Sequence, residues 1–312
     1  MDNSHTWTSR DKLGEKMILT VGSYGAGISI NVSRIPERGE TIGGGSLRIG
    51  HGGKTSNQAV AAARQGAKVS ILTALGNDQF AANAKKMWSH EGIQFESVLQ
   101  VDNSQTMAGV IIVGDDGENS IAIAEGALNE LSEEFIFSKK ALFAKADVVV
   151  ISYEIPRSVI EASIQLAAKL DKTVIVNPAP YKEIDREILS LASYVIPNET
   201  EYLALQEQGF EVNAEQTLVV TRGSEGVQIK TQEGTQEFNS HCSAMVVDST
   251  GAGDTFVGTF AAALDEGFEL SDAVTRAVIA AGITVTRPEV VPAIPSRDEV
   301  NKGVKEYGRK SA

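Results

Sequence analysis

The chain has 312 residues, of which 42% are hydrophobic, so it can bury one large core or two modest ones. Its formal net charge of -13 argues against sequence-independent binding to nucleic acid or to acidic membranes, because such binding needs clustered lysine and arginine. The single cysteine, Cys242, permits no internal disulfide. With no long apolar stretch and no signal-like N-terminus, the sequence predicts a cytoplasmic protein.

Apolar strands and helical patterns alternate along most of the chain. Residues 1–16 are polar and are predicted to form a flexible tail, and residues 17–312 to form the folded domain. Strands are predicted at 17–23, 68–75, 147–153, 173–180, 194–198 and 217–223, and helices at 56–66, 77–92 and 156–170. Continuous apolar strands separated by helices predict an α/β fold with a mostly parallel sheet covered on both faces. Ligands of such sheets bind at the carboxyl ends of the strands.

Two segments interrupt this alternation. Residues 27–50 alternate in polarity without a helix, and residues 105–127 contain two apolar runs around "DDG" at 115–117, which predicts a hairpin. Together they predict a small antiparallel sheet that projects over the ligand end as a β lid. A solvent-exposed meander is the alternative.

Glycine-rich motifs occupy the first sixty residues. "VGSYGAG", 21–27, has the wrong spacing for a dinucleotide-binding turn and is followed by a strand pattern, so it favours close packing or a substrate contact. "GHGGKTSNQAVAAA", 50–63, lacks Walker spacing, yet Lys54, Ser56 and Asn57 begin a helix that can hold a polyhydroxylated ligand or its phosphate. The alternative is that Asn57 is a buried helix residue with no contact to a ligand. A buried amide needs partners, which a polyol would supply.

Two motifs in the second half suggest a metal and a nucleotide. In "YVIPNETEYLAL", 194–205, Asn198 and Glu201 are three residues apart at a helix start and share one face, where they could orient a hydrated Mg²⁺ ion. Helix capping is the alternative, and it explains Asn198 better than Glu201. "VTRGSEG", 220–226, is a glycine turn after a strand that suits nucleotide phosphates or ribose.

"VVDSTGAGDTF", 246–256, reads as an apolar strand that turns through Gly251 and Gly253 into a buried helix. Glycines at a helix N-terminus favour phosphate binding, because the first-turn N–H groups are unpaired. Asp254 would repel phosphate, so its presence suits a loop that deprotonates a hydroxyl attacking that phosphate. Asp254 as a simple helix cap is the alternative, and this stretch alone does not separate the two.

Taken in order, these motifs resemble the ribokinase-like (PfkB) family of sugar and nucleoside kinases, and within it the bacterial ribokinases, from Met17 to about Pro295. "GGKTSNQAVAAA" and "DSTGAGDTFVG" resemble the two family signatures, with "NPAP", "PNETE" and "TRGSEG" between them. The resemblance implies a three-layer α/β/α sandwich with a small β lid. It also implies an ATP-dependent kinase that phosphorylates a hydroxyl, expected to be primary, of a sugar or sugar-like polyol.

The resemblance implies a role for each site residue. Asp254 would be the catalytic base, with the anion hole formed by Gly251, Ala252 and Gly253. Mg²⁺ would be held through water by Asn198 and Glu201. The residues implied to contact ATP are Thr221, Gly223, Gly226, Asn198 and Thr250. Those implied to contact the sugar are Gly25, Gly27, Gly52, Gly53, Lys54, Asn57, Glu154 and Asp254. The loop for a monovalent cation, such as K⁺, would comprise Asp248, Thr250 and backbone from 287–295.

The sequence departs from the family pattern on both sides of the site. Gly25 and Gly27 stand where ribokinases carry Asn and Asp that bond sugar hydroxyls, so we expect a substrate other than D-ribose, and room for a larger or differently substituted ligand. His51 could reach that room, or it is simply packed or exposed. Val278 replaces a frequent Asn or His near adenine. Glu289 and Val290 replace a glycine-containing segment and leave K⁺ activation open.

The sequence leaves open two alternative functions, a nucleoside kinase and a silent sugar-binding protein, and it predicts a second copy of the chain as a partner. A nucleoside kinase of the same fold would need an aromatic-lined base pocket, and the 6% aromatic content offers it little support. A catalytically silent sugar-binding protein would not need the full set of Asp254, Gly251, Gly253, Asn198 and Glu201. The apolar lid segment "GVIIV", 109–113, predicts a homodimer that pairs through the lid.

Overall fold

The computed structural model of the protein describes residues 16–43, 45–241 and 245–310, with side chains to residue 306. Most of the predicted N-terminal tail and Cys242 lie outside the described residues. The strands are β1 Ile18–Val21, β2 Gly25–Val32, β3 Leu47–Gly52, β4 Val69–Leu72, β5 Ala74–Gly76, β6 Leu99–Val101, β7 Met107–Gly114, β8 Asn119–Ala124, β9 Val148–Ser152, β10 Thr173–Asn177, β11 Tyr194–Val195, β12 Thr217–Thr221, β13 Val227–Thr231 and β14 Gly234–Phe238.

The helices lie mainly between successive strands of the central sheet. They are α1 Lys54–Arg64, α2 Gln79–His90, α3 Glu133–Ser138, α4 Lys140–Lys145, α5 Arg157–Lys169, α6 Arg186–Leu189, α7 Glu199–Glu207, α8 Ala252–Glu266, α9 Leu270–Thr284 and α10 Arg297–Lys310. In the part of the chain that the structure describes, none of them has the length and apolar character that a bilayer span requires.

The central sheet has the strand order β14-β13-β12-β11-β10-β9-β1-β4. The six strands from β12 to β4 run parallel, and β13 and β14 extend the sheet as antiparallel strands. The predicted mostly parallel sheet is confirmed. Parallel neighbours place their carboxyl ends along one edge, which is where a ligand site is expected.

Alternation along the strands divides the core between the two faces of this sheet. Val148 and Val150 of β9 belong to the apolar cluster that includes side chains of α1, α2, α8 and α9. Val149 and Ile151 belong to the second cluster, which includes side chains of α3 to α7. Each such buried side chain contributes about 1.5–3 kcal/mol relative to exposure. Because both faces are covered, the strands read as continuous apolar runs, and the three-layer α/β/α sandwich is confirmed.

A separate four-stranded sheet has the order β3-β2-β7-β8. The hairpin predicted at "DDG" joins β7 to β8, and β3 pairs antiparallel with β2. The prediction of an antiparallel sheet is wrong for the middle pair, since β2 and β7 run parallel. They come from segments separated by α1 and α2, and a crossover of that length permits parallel pairing where a tight turn does not. A lid function for this sheet stays a prediction.

Two predicted strands differ from the structure. The segment 68–75 is interrupted after β4, because β5 leaves the central sheet and pairs with β6. The expected strand at 246–248 is absent: residues 245–250 are irregular, and Val246 and Val247 are exposed. The Val247 N–H donates to the carbonyl oxygen of Val285 at 2.7 Å. This segment therefore bonds the C-terminal end of α9 and does not pair with a strand among the described residues.

Candidate active site

A cavity of about 780 Å³ lies at the carboxyl ends of β10, β11 and β12, beside the first turn of α8. The predicted site residues that line it are Lys54, Asn198, Glu201, Thr221, Gly223, Gly226, Thr250, Gly251, Ala252, Gly253 and Asp254. Those that do not are Gly25, Gly27, Gly52, Gly53, Asn57, Glu154 and Asp248. The predicted nucleotide and base residues are therefore brought together at the cavity, whereas most of the predicted sugar residues do not line it.

Helix α8 begins at the cavity without a side-chain cap. Gly251 is its N-cap residue with a φ of 79°, in the left-handed region that favours glycine. A side chain at Gly251 would also meet Val290, because an added Cβ would lie 2.5 Å from the Val290 Cγ1 atom. The first-turn N–H groups of an uncapped helix attract anions. The geometry of 251–253 is thus suited to an anion hole, and that role stays a prediction.

Asp254 is buried in the first turn of α8, with 7% of its surface exposed. Its Oδ2 atom accepts a hydrogen bond from Asn57 Nδ2 at 2.8 Å, and Oδ1 accepts one from Gln58 Nε2 at 3.4 Å. The carboxylate therefore bonds side chains of α1. It does not cap its own helix, which is contrary to the capping alternative. Burial raises the pKa of Asp254, although the Lys54 charge and the Asn57 amide oppose the shift. A raised pKa makes this carboxylate a better proton acceptor.

Lys54 is the first residue of α1, and its positive charge acts on the Asp254 carboxylate. Burial lowers its pKa, but the charges of Asp254, Glu154 and Glu201 outweigh that effect, and the pKa of Lys54 is raised. The ammonium group therefore stays charged among three acids. Since Lys54 also lines the cavity, it is placed to attract an anionic ligand there.

Asn198 and Glu201 form a reciprocal capping box at the start of α7. Asn198 Oδ1 accepts the Glu201 N–H, and Glu201 Oε2 accepts the Asn198 N–H, both at 2.8 Å. Capping thus explains Glu201 as well as Asn198, contrary to our expectation. The box uses Oε2 and leaves Oε1 of a cavity-lining carboxylate, so Glu201 still fits a role in bonding metal-bound water. Burial raises the pKa of Glu201, although Lys54 favours its ionised form.

Glu154, one of the predicted sugar residues, bonds the start of α1. Glu154 Oε2 accepts the Lys54 N–H at 2.9 Å and also the hydroxyl of Ser23. Gly53 has a φ of 88°, and an added Cβ would lie 2.6 Å from the Tyr24 Cα atom. Glycine is therefore needed at position 53, because Tyr24 and the start of β2, in the four-stranded second sheet, approach the start of α1 closely.

Gly25 and Gly27 differ in the space around them. Gly25 pairs with Gly52, and an added Cβ at Gly25 would lie 2.3 Å from the Met107 Cε atom. At Gly27 an added Cβ would meet no atom within 4 Å. The expectation that both glycines open room is therefore wrong for Gly25, because the buried Met107 side chain on the neighbouring strand already fills that space. The room is at Gly27.

His51 on β3 is half-buried and bonded to the protein. Its Nδ1 atom is 3.0 Å from the Tyr24 hydroxyl, and Tyr24 packs edge-on against Trp88. Burial lowers the pKa of His51, so the neutral ring is favoured. These contacts support the packed alternative over a side chain that reaches toward a ligand.

Apolar side chains form the wall of the cavity near the predicted nucleotide turn. Val278, which we noted at the adenine position, lines the cavity together with Ala281 and Val285. Asp248 Oδ1 accepts the Thr250 N–H at 2.9 Å, and only Thr250 of this pair lines the cavity. A cation site at this pair stays a prediction. Among the described residues there is no group of three or more His, Cys, Asp or Glu suited to hold a metal ion.

The sequence interpretation missed three side chains that complete the site. Gln58 and Asn177 are buried and hydrogen-bonded to each other at 3.0 Å, and Ser23 bonds Glu154. The signal for Gln58 was available, because it follows Asn57 in an Ala-rich run and a buried amide needs partners. Asn177 belongs to the "NPAP" motif. Ser23 carries no comparable signal in the sequence.

Comparison with known proteins gives concordant matches. The sequence profile of the pfkB family carbohydrate kinase matches residues 15–297. The chain is 35% identical over 299 residues to the ribokinase of Haemophilus influenzae, covering 91% of this chain and 97% of the relative. It is 30% identical over 300 residues to the deoxyribokinase of Salmonella typhi, with coverages of 91% and 97%. The structure of Arabidopsis thaliana ribokinase complexed with ribose and ATP matches with a TM-score of 0.84 and 27% identity, covering 94% of this chain and 99% of that chain.

Proposed function

Because the chain belongs to the pfkB family of carbohydrate kinases, we propose that Asp254 is the base that activates a sugar hydroxyl for transfer of the γ-phosphoryl group of ATP. The protein is an ATP-dependent carbohydrate kinase. The finer assignment concerns the acceptor, which we take to be a hydroxyl, expected to be primary, of a sugar or sugar-like polyol.

One observation carries this assignment: a buried carboxylate lies at the uncapped N-terminus of a helix. Asp254 bonds two amides of α1, and the first turn of α8 beside it lines the cavity. A helix N-terminus binds phosphate, whereas an acid at the same place opposes it. Their combination is explained if the acid accepts a proton from the attacking hydroxyl while the helix N-terminus binds the phosphoryl group in the same reaction.

The proposed step transfers a proton and a phosphoryl group. The sugar hydroxyl oxygen forms a bond to the γ-phosphorus while its proton passes to Asp254. The bond from the γ-phosphorus to the bridging oxygen breaks, and ADP leaves with that electron pair. Negative charge on the transferred group meets the first-turn N–H groups of 251–253 and the ammonium group of Lys54. The Asn57 Oδ1 atom is buried and has no hydrogen-bond partner among the described residues, so a contact between Asn57 and the sugar stays a prediction.

Asn198 and Glu201 would hold Mg²⁺ through water. When bound, Mg²⁺ neutralises phosphate charge during transfer. Glu201 Oε1 is the protein atom suited to accept a hydrogen bond from metal-bound water, since Oε2 belongs to the capping box. The nucleotide itself would lie along Thr221, Gly223 and Gly226 and against the wall that includes Val278.

The choice of sugar depends on the face of the second sheet that carries Gly27. A site that bonds a hydroxyl rejects ligands that lack it, whereas open space tolerates a substituent. The bare surface at Gly27, flanked by Gly50 and Gly109, therefore favours an acceptor other than D-ribose. The relatives include a ribokinase and a deoxyribokinase, so ribose and deoxyribose are the reference sugars against which other acceptors are compared.

The homodimer stays a prediction, and the second sheet supplies its physical basis. Leu47, Ile49 and Val110 are exposed on one face of this sheet, and Ile121 and Ile123 are exposed on the other. Exposed apolar side chains on a sheet with open edges favour association of two copies. Sedimentation equilibrium of the wild type and of Ile49→Glu would test it. A wild-type monomer would contradict the prediction.

The function is tested by following ADP release from Mg-ATP with a panel of pentoses, deoxypentoses, hexoses, polyols and nucleosides. We expect turnover with one class of sugar or polyol, and a product whose phosphate is on a primary hydroxyl by ³¹P–¹H NMR. Turnover confined to nucleosides would show that the acceptor is a nucleoside and not a sugar or polyol. ATP binding without turnover on any acceptor would favour a silent sugar-binding protein.

A further inference from the structure

The first turn and a half of α1 is polar, although it is buried. Thr55, Ser56, Asn57 and Gln58 are each at most 5% exposed. Each bonds a side chain outside α1: Thr55 bonds Ser152 of β9, and Ser56 accepts from Trp88 of α2 at 2.9 Å. Asn57 bonds Asp254, and Gln58 bonds both Asp254 and Asn177. A buried polar group is tolerated only with partners, so this turn is a junction of several elements.

Gln58 has a place in this junction that the proposed mechanism does not use. It is fully buried, and its Nε2 atom is 3.0 Å from Asn177 Oδ1 and 3.4 Å from Asp254 Oδ1. Asn177 Nδ2 in turn donates to the Ile196 carbonyl oxygen at 2.7 Å. A continuous chain of hydrogen bonds therefore connects Asp254 with the carboxyl ends of β10 and β11.

The orientation of the Gln58 amide follows from its neighbours. An ionised carboxylate only accepts hydrogen bonds, and Asn177 Oδ1 also accepts, so the NH₂ group must point toward both. The Oε1 atom is then left without a partner among the described residues. The backbone gives little freedom, because an added Cβ at Gly258 of α8 would lie 2.2 Å from the Gln58 carbonyl oxygen.

We propose that Gln58 is a positioning residue: it holds Asp254 Oδ1 ionised and in one orientation, and Asn177 holds Gln58 in turn. This inference rests on the proposed function of Asp254 as the base. With Asn57 on Oδ2 and Gln58 on Oδ1, the carboxylate is fixed at both oxygens. The charged groups that face Asp254 from the other elements are Lys54, Glu154 and Glu201.

Gln58→Met tests the proposal, because methionine keeps the length and removes the donor. The matched control is Gln65→Met, since Gln65 follows α1, is buried and donates to the Pro295 carbonyl oxygen, far along the helix from the base. The protein is labelled with [γ-¹³C]aspartate, and the Asp254 signal is the one missing from Asp254→Asn. Its titration is followed by NMR in the full chain without ligand.

We expect the Asp254 titration midpoint to rise by about one pH unit in Gln58→Met, which is a tenfold change in the protonation equilibrium. The midpoint in Gln65→Met should equal that of the wild type. Equal midpoints in Gln58→Met and the wild type would overturn the proposal. If Gln58→Met does not fold, Asn177→Ala tests the same link from its outer end. The midpoint should then rise as well, and an unchanged value would overturn the proposal.

The proposed function fails in a different measurement. Equal ADP release by the wild type and Asp254→Asn would refute Asp254 as the base, yet it would not alter the NMR midpoints. A kinase that depends on Asp254, combined with an unmoved midpoint in Gln58→Met, would remove only the inference about Gln58.

Discussion

A single methyl group should have opposite effects at Gly25 and Gly27. At Gly25 the new Cβ lies 2.3 Å from Met107 Cε and 3.0 Å from the Met107 carbonyl oxygen, inside ordinary contact distance. Met107 is buried, so its displacement should lower the free energy of unfolding of Gly25→Ala by about 1–3 kcal/mol. At Gly27 the methyl group meets nothing within 4 Å. Gly27→Ala should raise the free energy of unfolding by about 0.4–1 kcal/mol, because alanine restricts the unfolded chain.

Urea denaturation of the two variants measures these differences, and Met107→Ala supplies the control. In the Met107→Ala background the cost of Gly25→Ala should shrink, since the Cε atom is gone. A Gly27→Ala variant that is destabilised as much as Gly25→Ala would refute the assignment of free space to Gly27. For function, Gly27→Asp should change the relative turnover among sugars, and an unchanged ranking would place Gly27 outside the substrate site.

Two further predictions concern pH and monovalent cations. Burial and the Asp147 charge raise the pKa of Asp265 to about 6, so the native state loses stability as pH rises from the ordinary value of 3.8 through 6. Asp265→Asn should therefore raise the melting temperature at pH 7.5 and leave it unchanged at pH 4, as measured by calorimetry. An equal shift at both pH values would contradict this. The Val290 side chain packs against Gly251 where a cation loop is predicted, so turnover in K⁺ should match that in tetramethylammonium at equal ionic strength. Marked activation by K⁺ would contradict it.

The sequence predicts most of the fold because the signals are local and repeated. The apolar run at 148–152 identifies a strand buried on both faces, and the "DDG" turn identifies the hairpin of β7 and β8. Strand pairing over long distances has no such signal. The parallel pairing of β2 with β7 and the departure of β5 from the central sheet depend on the packing of whole elements.

The candidate site was predicted where a motif concentrates the residues, and incompletely where it does not. Asp254 and 251–253 occur within one turn of α8, so the sequence places them together. The roles of Gln58 and Met107 depend on contacts with residues far along the chain. Glu201 shows a third case: one carboxylate serves both a capping box and the cavity wall, and spacing alone cannot distinguish these roles.

ADP release by Asp254→Asn, measured beside Asp265→Asn, tests the central claim most directly. The two aspartates lie at opposite ends of α8, and both are buried, so the pair separates loss of the base from loss of a buried charge. With the sugar or polyol that the wild type phosphorylates, Asp254→Asn should lose at least about 100-fold in kcat. Asp265→Asn should retain wild-type turnover. A folded Asp254→Asn with wild-type kcat would contradict the assignment of Asp254 as the base.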